Sequence, residues 1–485
     1  MELIEAEGML VGGERSGAAA GATYEVHNPA NGEVIATVAE GGPEDIDRAV
    51  EAARAALPAW RAVRPRDRAR LLRRFAATVE DHAEELARLE SRNAGKPIRD
   101  TLDEGAAVAE VIHYYAGAID KHFGETIPTQ AAGQLMTFRE PLGVVGIITP
   151  WNFPMAISNW KVAPALAAGN TIVLKPASLT PLSSLRLAEL ALEAGIPEGV
   201  LNVVPGPGST AGIRLAAHRD VRKVAFTGST AVGIEVSRVA APTMKRVSLE
   251  LGGKSANIVH ADADVDLAAE TSPMMVFANA GQDCCARSRV LVHESVAERF
   301  VELFIDRTAR LRVGDPLDPA TEVGPLISPG QRQTALDYIA LGREEGARLL
   351  RGGDVPDDEA RSAGNFLLPA VLDGVDNGMR VAREEIFGPV VSLLTFREEA
   401  EAIAIANDSD YGLSGSVWSR DGARALRTAR AMETGNISVN ASTSVHLEAP
   451  FGGFKSSGIG RELGMHALDL YTEVKTMFVA IGEAA

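Results

Sequence analysis

The run Gly143-Val-Val-Gly-Ile-Ile-Thr-Pro-Trp-Asn-Phe-Pro154 opens as a short apolar segment, Val144 to Ile148, and closes in a turn carrying two prolines. An apolar run of this length bounded by turn residues reads as a strand buried on both faces. The unit recurs downstream at Thr171 to Leu174, Val200 to Val204, Val224 to Phe226 and Ala256 to Val259, with candidate helices Leu182 to Ala194 and Ala231 to Ala240 between them. This alternation predicts an α/β fold whose parallel sheet is covered by helices on both sides. Such sheets bind ligands beyond the carboxyl ends of their strands.

Towards the N-terminus, apolar residues recur at helical spacing from Glu44 to about Glu90 (Ile46, Val50, Ala53, Leu57, then Leu71, Phe75, Val79), which reads as amphipathic scaffold helices. Towards the C-terminus a second alternating stretch runs from about Val290 to Val439. It includes Arg289 to Val292, Val390 to Leu394 and Ile437 to Val439, with a helix over Val296 to Leu311, and predicts a second α/β domain. A chain of 485 residues exceeds what one core supports, and no fixed-period repeat or flexible linker separates the halves. With 46% hydrophobic and 23% charged residues and a net charge of −17, the balance is that of a globular protein without the basic footprint of a nucleic-acid or anionic-membrane partner. Met1 to Gly8 carries three glutamates instead of a basic start, and no stretch approaches a membrane-spanning apolar run, so a cytoplasmic location is expected. The two cysteines, Cys284 and Cys285, are adjacent, which leaves no structural disulfide framework.

Several segments carry chemistry. The runs Val200 to Gly208 and Phe226 to Gly233 place glycines between strand and helix, where backbone can approach a phosphate at a helix N-terminus. Lys175, at the end of a strand in Leu174-Lys-Pro-Ala-Ser178, is placed to reach a ribose hydroxyl or a phosphate. Glu250 lies in Leu249-Glu-Leu-Gly-Gly-Lys254, and its apolar flanks would raise its pKa towards that of a general base. Asn279-Ala-Gly-Gln-Asp-Cys284 places a thiol beyond a small-residue turn, at what reads as the mouth of a helix, where the dipole would activate it.

In this order the segments resemble the aldehyde dehydrogenase superfamily over essentially the whole chain. The resemblance is carried by Thr149-Pro-Trp-Asn-Phe-Pro154, Lys175-Pro-Ala-Ser178, Phe226-Thr-Gly-Ser229, Glu250-Leu-Gly-Gly-Lys254, Gly281-Gln-Asp-Cys284, Glu384-Glu-Ile-Phe-Gly-Pro389 and Pro450-Phe-Gly-Gly-Phe-Lys-Ser-Ser-Gly-Ile-Gly-Arg-Glu462. It implies an NAD(P)-dependent, hydrolytic oxidation of an aldehyde. Cys284 resembles the nucleophile, Asn152 the side-chain donor to the oxyanion beside the Cys284 N–H, and Glu250 the base that activates water. Lys161 and Glu473 match positions proposed to relay protons near that base, and Cys285 is a bystander. Trp151, Asn152, Lys175, Ser178, Gly208, Gly228 and Ser229 would follow the adenosine and diphosphate, flanked by Ile148, Thr149, Pro150, Pro176, Ala177, Phe226 and Val232. Glu385 and Phe387 would hold the nicotinamide ribose and ring, with Leu251 facing the nicotinamide. No metal is implied.

The resemblance also implies a Rossmann-like cofactor domain over residues 1–122 and 142–253, a catalytic domain over 254–468, and a small β oligomerisation element joining 123–141 to 469–485. A homodimer or homotetramer is expected. Many NAD-preferring relatives carry a glutamate where this chain has Ser178, so NADP is expected to be accepted alongside NAD. Ala107 and Val445 stand where some relatives have bulky side chains, so a wide substrate opening is expected. An acylating relative that passes its thioester to coenzyme A would lack Glu250. A non-catalytic structural relative would lose Cys284 or Glu385, and a cofactor-independent thiol hydrolase would want a histidine motif. For the substrate, Asp283 points to an amino or betaine aldehyde and Arg287 to an acidic semialdehyde.

Overall fold

The strand Val144–Ile148 is buried along its whole length, as its unbroken apolar sequence requires, in a computed structural model that describes residues 4–443 and 445–482. Residues 1–3 and 483–485, the outer ends of the two expected terminal segments, lie outside the described residues. Val144–Ile148 is central to five parallel strands. Thr171–Lys175 and then Leu201–Val203 lie on one side, and Val221–Thr227 and then Arg246–Glu250 on the other. Antiparallel strands extend both edges into an eight-stranded sheet: Met9–Val11 and Glu14–Ser16 beyond Leu201–Val203, and Gly458–Ile459 against Arg246–Glu250. The chain winds outward twice from Val144–Ile148, then returns to its other flank. That reversal opens a crevice at the carboxyl ends of Val144–Ile148 and Val221–Thr227.

Helices Pro43–Ala62, Pro154–Ala167 and Leu182–Glu193 cover this sheet, and their buried apolar residues join those of the strands in continuous cores. The second alternating stretch forms a seven-stranded sheet in the order Arg348–Arg351, Ala370–Asp373, Val390–Phe396, Arg289–His293, Ala256–Val259, Ser414–Trp418 and Asn436–Val439. It is parallel except for its first strand and has its own core. The α/β class is therefore as expected. Thr472–Ala480 pairs antiparallel with Gly133–Pro141 in unbroken register, from Thr472 opposite Pro141 to Ala480 opposite Gly133. Thr126–Ile127 completes that three-stranded sheet. Among the described residues no helix is long and apolar enough to cross a membrane.

Candidate active site

Two loops leave the crevice at the switch point. One follows Val144–Ile148 and carries Thr149 to Phe153; the other follows Val221–Thr227 and carries Gly228 and Ser229, whose hydroxyl caps the helix Thr230–Ala240 by accepting the Val232 N–H at 3.4 Å. Asn152 is buried. Its Nδ2 donates to the Gln282 carbonyl at 2.9 Å, and its own carbonyl accepts from Asn279 Nδ2 at 3.0 Å. A primary amide has two N–H donors, so one remains for a ligand. These bonds tie the first loop to the turn that carries the thiols.

That turn is not the helix mouth expected from the sequence. Asn279, Ala280 and Gly281 take φ values of 49°, 55° and 72°, three left-handed residues in succession, and the chain from Gln282 to Ser288 forms no helix. The cause is crowding. A Cβ at Gly281 would lie 2.2 Å from the Gly388 carbonyl, and Gln282 fastens the turn by accepting the Ile327 N–H at 2.8 Å and donating to the Asn279 carbonyl at 3.0 Å. Asp283 Oδ1 accepts the Cys285 N–H at 2.8 Å. The segment that carries Cys284 therefore offers it no helix end of its own. Cys285 beside it, burial, Asp283 and Glu250 all push its thiol well above the ordinary thiol range.

Glu250 ends the strand Arg246–Glu250 and is buried. Its Oε1 has no hydrogen-bond partner. Burial first, and the nearby Glu462 second, push its carboxyl well above the ordinary range, the direction that suits a general base. Lys161 is fully buried. Its Nζ lies 2.6 Å from Glu462 Oε1 and donates to Thr227 Oγ1 at 2.7 Å. Glu473, matched in sequence to a relay, lies elsewhere: it sits on the exposed strand Thr472–Ala480 and is ion-paired with Arg246 at the opposite end of the Glu250 strand. The glutamate beside Glu250 is Glu462. It is brought there because Gly458–Ile459 pairs antiparallel with Arg246–Glu250, Gly458 opposite Glu250.

The paired glycines after Glu250 have a packing cause. A Cβ at Gly252 would stand 2.1 Å from Glu385 Oε2, and one at Gly253 would stand 2.3 Å from the Cys284 carbonyl oxygen. Glu385 accepts the Gly253 N–H at 3.0 Å, and burial raises its carboxyl to about 7. Phe387, at φ 56°, meets Trp151 edge-to-face at 5.2 Å. Together with Pro150, Asn152, Gly228, Ser229, Leu251 and Cys284 these residues line a cavity of about 250 Å³. Sequence reasoning missed Gln331 on its wall, which donates to the Ile386 and Phe387 carbonyls at 3.0 and 2.9 Å; no motif marks it. Lys175, Pro176, Ala177, Ser178 and Gly208 lie further along the same sheet edge. Lys175 Nζ donates to the Pro176 and Gly206 carbonyls at 2.7 and 3.0 Å, and Ser178 Oγ to Gly206 at 2.9 Å. Ile148 and Phe226 are buried at the strand ends, and Val232 is exposed on its helix.

On the other side of Cys284 lies a second cavity, about 260 Å³, walled by Phe153, Trp160 and Phe451 and bordered by Ala107 and Val445. Glu250 and Cys284 both open onto it. So do Asp283, Glu104 and Glu462, and among its described lining residues there is no lysine or arginine. Glu104 is ion-paired with the buried Lys96, and burial raises its carboxyl to about 7. Arg287 is buried and absent from this wall.

Comparisons with known proteins agree with this arrangement. The family model described as the aldehyde dehydrogenase family matches residues 17–477. An aldehyde dehydrogenase of Emericella nidulans is 44% identical over 479 residues, covering 98% of this chain and 96% of that protein. A mitochondrial aldehyde dehydrogenase of Homo sapiens is 46% identical over 465 residues, covering 95% and 89%. Among solved structures, a betaine aldehyde dehydrogenase of Staphylococcus aureus in complex with NAD+ superimposes with a TM-score of 0.97 at 38% identity, covering 99% of this chain and 95% of that one. With the match extending over nearly the whole length and the fold shared throughout, the chain belongs to the aldehyde dehydrogenase family.

Proposed function

We propose that the chain oxidises an aldehyde to a carboxylic acid with NAD(P)+ through a covalent thioester on Cys284. The observation that carries this is the position of Cys284 on the shared wall of two cavities, one lined by groups suited to a dinucleotide and the other by a buried carboxylate base. The first cavity fits the cofactor by its donor set. Glu385 offers carboxylate acceptors to ribose hydroxyls and Phe387 and Leu251 offer apolar surface to a ring; beyond the cavity, Lys175 keeps one of its three N–H donors besides the two carbonyls it serves. At Ser178 a neutral hydroxyl stands where no carboxylate repels a 2′-phosphate, which supports use of both NAD and NADP. The strand Val144–Ile148 and the contacts from Trp151 to Leu251 fall in the domain read as 1–122 and 142–253, and Cys284, Glu385 and Phe387 in that read as 254–468.

Cys284 gives up its proton to solvent and its sulfur adds to the carbonyl carbon, moving the π pair to oxygen. Asn152 Nδ2 and the Cys284 N–H, which no acceptor takes among the described residues, are the donors for that oxyanion; one such donor contributes about 3 kcal/mol. NAD(P)+, when bound, would accept the hydride that leaves the substrate carbon as the oxyanion pair re-forms the C=O bond, which leaves the acyl group on Cys284 as a thioester. Glu250 then takes a proton from water, the hydroxyl adds to the thioester, the C–S bond breaks and the acid leaves. Lys161 and Glu462 hold the charge balance behind Glu250.

For the substrate we infer an aldehyde with a cationic amino or quaternary ammonium group. Asp283 and Glu104 face the chamber, and Trp160 and Phe451, packed edge-to-face at 5.4 Å, line it with aromatic rings of the kind that meet a cation, while Arg287, the group that pointed to an acidic semialdehyde, is not on its wall. The test follows reduced cofactor with betaine aldehyde, aminobutyraldehyde, succinate semialdehyde and a plain aliphatic aldehyde side by side. No NAD(P)H with any of them, or full activity in Cys284→Ala, overturns the reaction. A highest kcat/KM for succinate semialdehyde overturns the substrate class.

We also propose that the chain self-associates through Thr472–Ala480. This strand is an edge of its sheet and exposes Val474, Met477, Phe478 and Val479, apolar residues on an unpaired edge that a second copy would cover.

A further inference from the structure

Residues 283–286 form a tight turn, closed by the Ala286 N–H donating to the Asp283 carbonyl at 3.0 Å. In an extended chain neighbouring side chains point to opposite faces, and a turn removes that alternation, carrying Cys284 and Cys285 round its outside. Asp283 Oδ1 accepts the Cys285 N–H at 2.8 Å, which holds the carboxylate over the same turn and leaves its second oxygen for another partner. The two sulfurs and a carboxylate oxygen of Asp283 thus all lie within 4.8 Å of one another, the one such group of three among the described residues.

The group can be reached. All three residues line the chamber on the substrate side of Cys284, whose described lining contains no lysine or arginine; Arg287 sits behind the turn, donating to the Cys285 carbonyl at 3.2 Å. Glu250 lines the same chamber, is 3% exposed, and leaves Oε1 without a hydrogen-bond partner. Two sulfurs, a carboxylate oxygen and an unpartnered buried oxygen around one space are ligands without a cation. The donor set selects which cation. Thiolates are soft ligands that favour zinc over magnesium or calcium. Around one zinc, sulfurs at about 2.3 Å and an oxygen at about 2.1 Å stand about 3.6–3.8 Å from one another, a spacing that small side-chain rotations reach from the one observed. Each thiol gives its proton to solvent as the metal binds, so one divalent cation enters as two protons leave and the net charge of the buried site is unchanged.

We propose that Asp283, Cys284 and Cys285 form a binding site for a thiophilic divalent cation of the zinc type, with the fourth coordination position open to the chamber. A cation there occupies the sulfur electron pair that adds to the carbonyl carbon, so cation and aldehyde exclude one another and the cation is a reversible inhibitor. Cys285, idle in the oxidation, supplies the second sulfur. The inhibition rests on the proposed role of Cys284 as nucleophile; the binding does not.

The test is titration of the reduced, full-length protein with Cd2+ as the probe, followed by the ultraviolet absorption of cadmium–thiolate bonds. The chain has only two cysteines, so any such band comes from this pair. One equivalent per chain is expected to develop the band, Zn2+ to displace it, and Mg2+ at the same concentration to leave it unchanged. Cys285→Ser is expected to halve the amplitude and weaken Cd2+ binding by at least about tenfold, and Asp283→Asn to keep the amplitude with binding about tenfold weaker. No band in the wild type, full amplitude in Cys285→Ser, or wild-type affinity in Asp283→Asn overturns the proposal. Should either variant lose its native circular-dichroism spectrum, the wild-type amplitude is read alone: that of two cadmium–sulfur bonds supports the proposal and that of one overturns it. In the reduced-cofactor assay Zn2+ is expected to inhibit competitively with the aldehyde, and a chelator to restore the rate; full turnover with the site loaded overturns the inhibition. The band needs no turnover, so its failure is distinct from a failure of the thioester reaction, which the Cys284→Ala assay reads.

Discussion

Lys161 and Glu462 form an ion pair, 2.6 Å from Nζ to Oε1, from which water is almost wholly excluded, and the pair stands behind Glu250. Glu462 raises the Glu250 carboxyl and Lys161 lowers it. In Glu462→Gln the negative charge is gone and Lys161 is left facing Glu250, so both changes lower the Glu250 pKa. The acid limb of the kcat profile is expected to move to lower pH, measured by steady-state rates across a pH series. Lys161→Met instead strands a buried carboxylate, and a loss of about 3–5 kcal/mol is expected in denaturant unfolding.

Glu250→Gln separates the two halves of the reaction. The amide cannot take a proton from water, so turnover is expected to fall by roughly 10²–10⁴-fold. The first equivalent of reduced cofactor should still appear in a rapid-mixing burst, because thioester formation does not draw on the base. A burst lost together with turnover would place Glu250 before hydride transfer.

Asn152→Ala removes one donor to the developing oxyanion and also the bond to the Gln282 carbonyl. A fall in kcat of about 10²–10³-fold is expected with little change in cofactor affinity, read from kcat and from a fluorescence titration of reduced cofactor. Weakened cofactor binding as the main effect would assign Asn152 to the dinucleotide instead.

Burial holds the Glu385 carboxyl near 7. Above that pH it is a carboxylate that accepts hydroxyl hydrogens; below it, protonation removes acceptor capacity. Cofactor Kd is therefore expected to rise as pH falls through about 7, and in Glu385→Gln to be weaker and flat over the same range. A pH-independent Kd in the wild type would remove Glu385 from the ribose site.

Phe478 is half-exposed on the edge strand, and the neighbouring Val474 and Met477 are likewise solvent-facing. Phe478→Lys is expected to reduce the assembly to monomer in analytical ultracentrifugation. A wild-type chain that is already monomeric would remove the proposed interface.

The parallel strands were legible because burial on both faces forces unbroken apolar runs, and Val144–Ile148 announces itself without any partner in view. Their outer limits were less so: the strand Leu201–Val203 is one residue shorter at each end than the run Val200 to Val204, although Val200 still accepts the Ile172 N–H and Val204 still donates to the Leu174 carbonyl. The turn before Cys284 was misread because Asn279 and Ala280 do not advertise a left-handed backbone; contacts with Gly388 and Ile327, distant in sequence, impose it. Glu473 and Glu462 are two C-terminal glutamates that sequence alone could not rank. The return of Gly458–Ile459 across Arg246–Glu250 selects the second, and such long-range pairing leaves no local trace. Gln331 begins a helix like many others, and only the fold carries it to Phe387.

The two glycines after Glu250 set a length standard. Glu385 leans on the α-carbon of one and the Cys284 carbonyl on the α-carbon of the next, so the dinucleotide clamp and the sulfur-bearing turn are gauged against points one residue, about 3.8 Å, apart. A hydride must cross a gap whose tolerance is a fraction of an ångström. Two sheets, each with its own core, meet at that gap, and the spacing between them is referred to a single stretch of backbone. An alanine in this segment would act as a shim, leaving both halves intact while separating the bodies they must bring into contact.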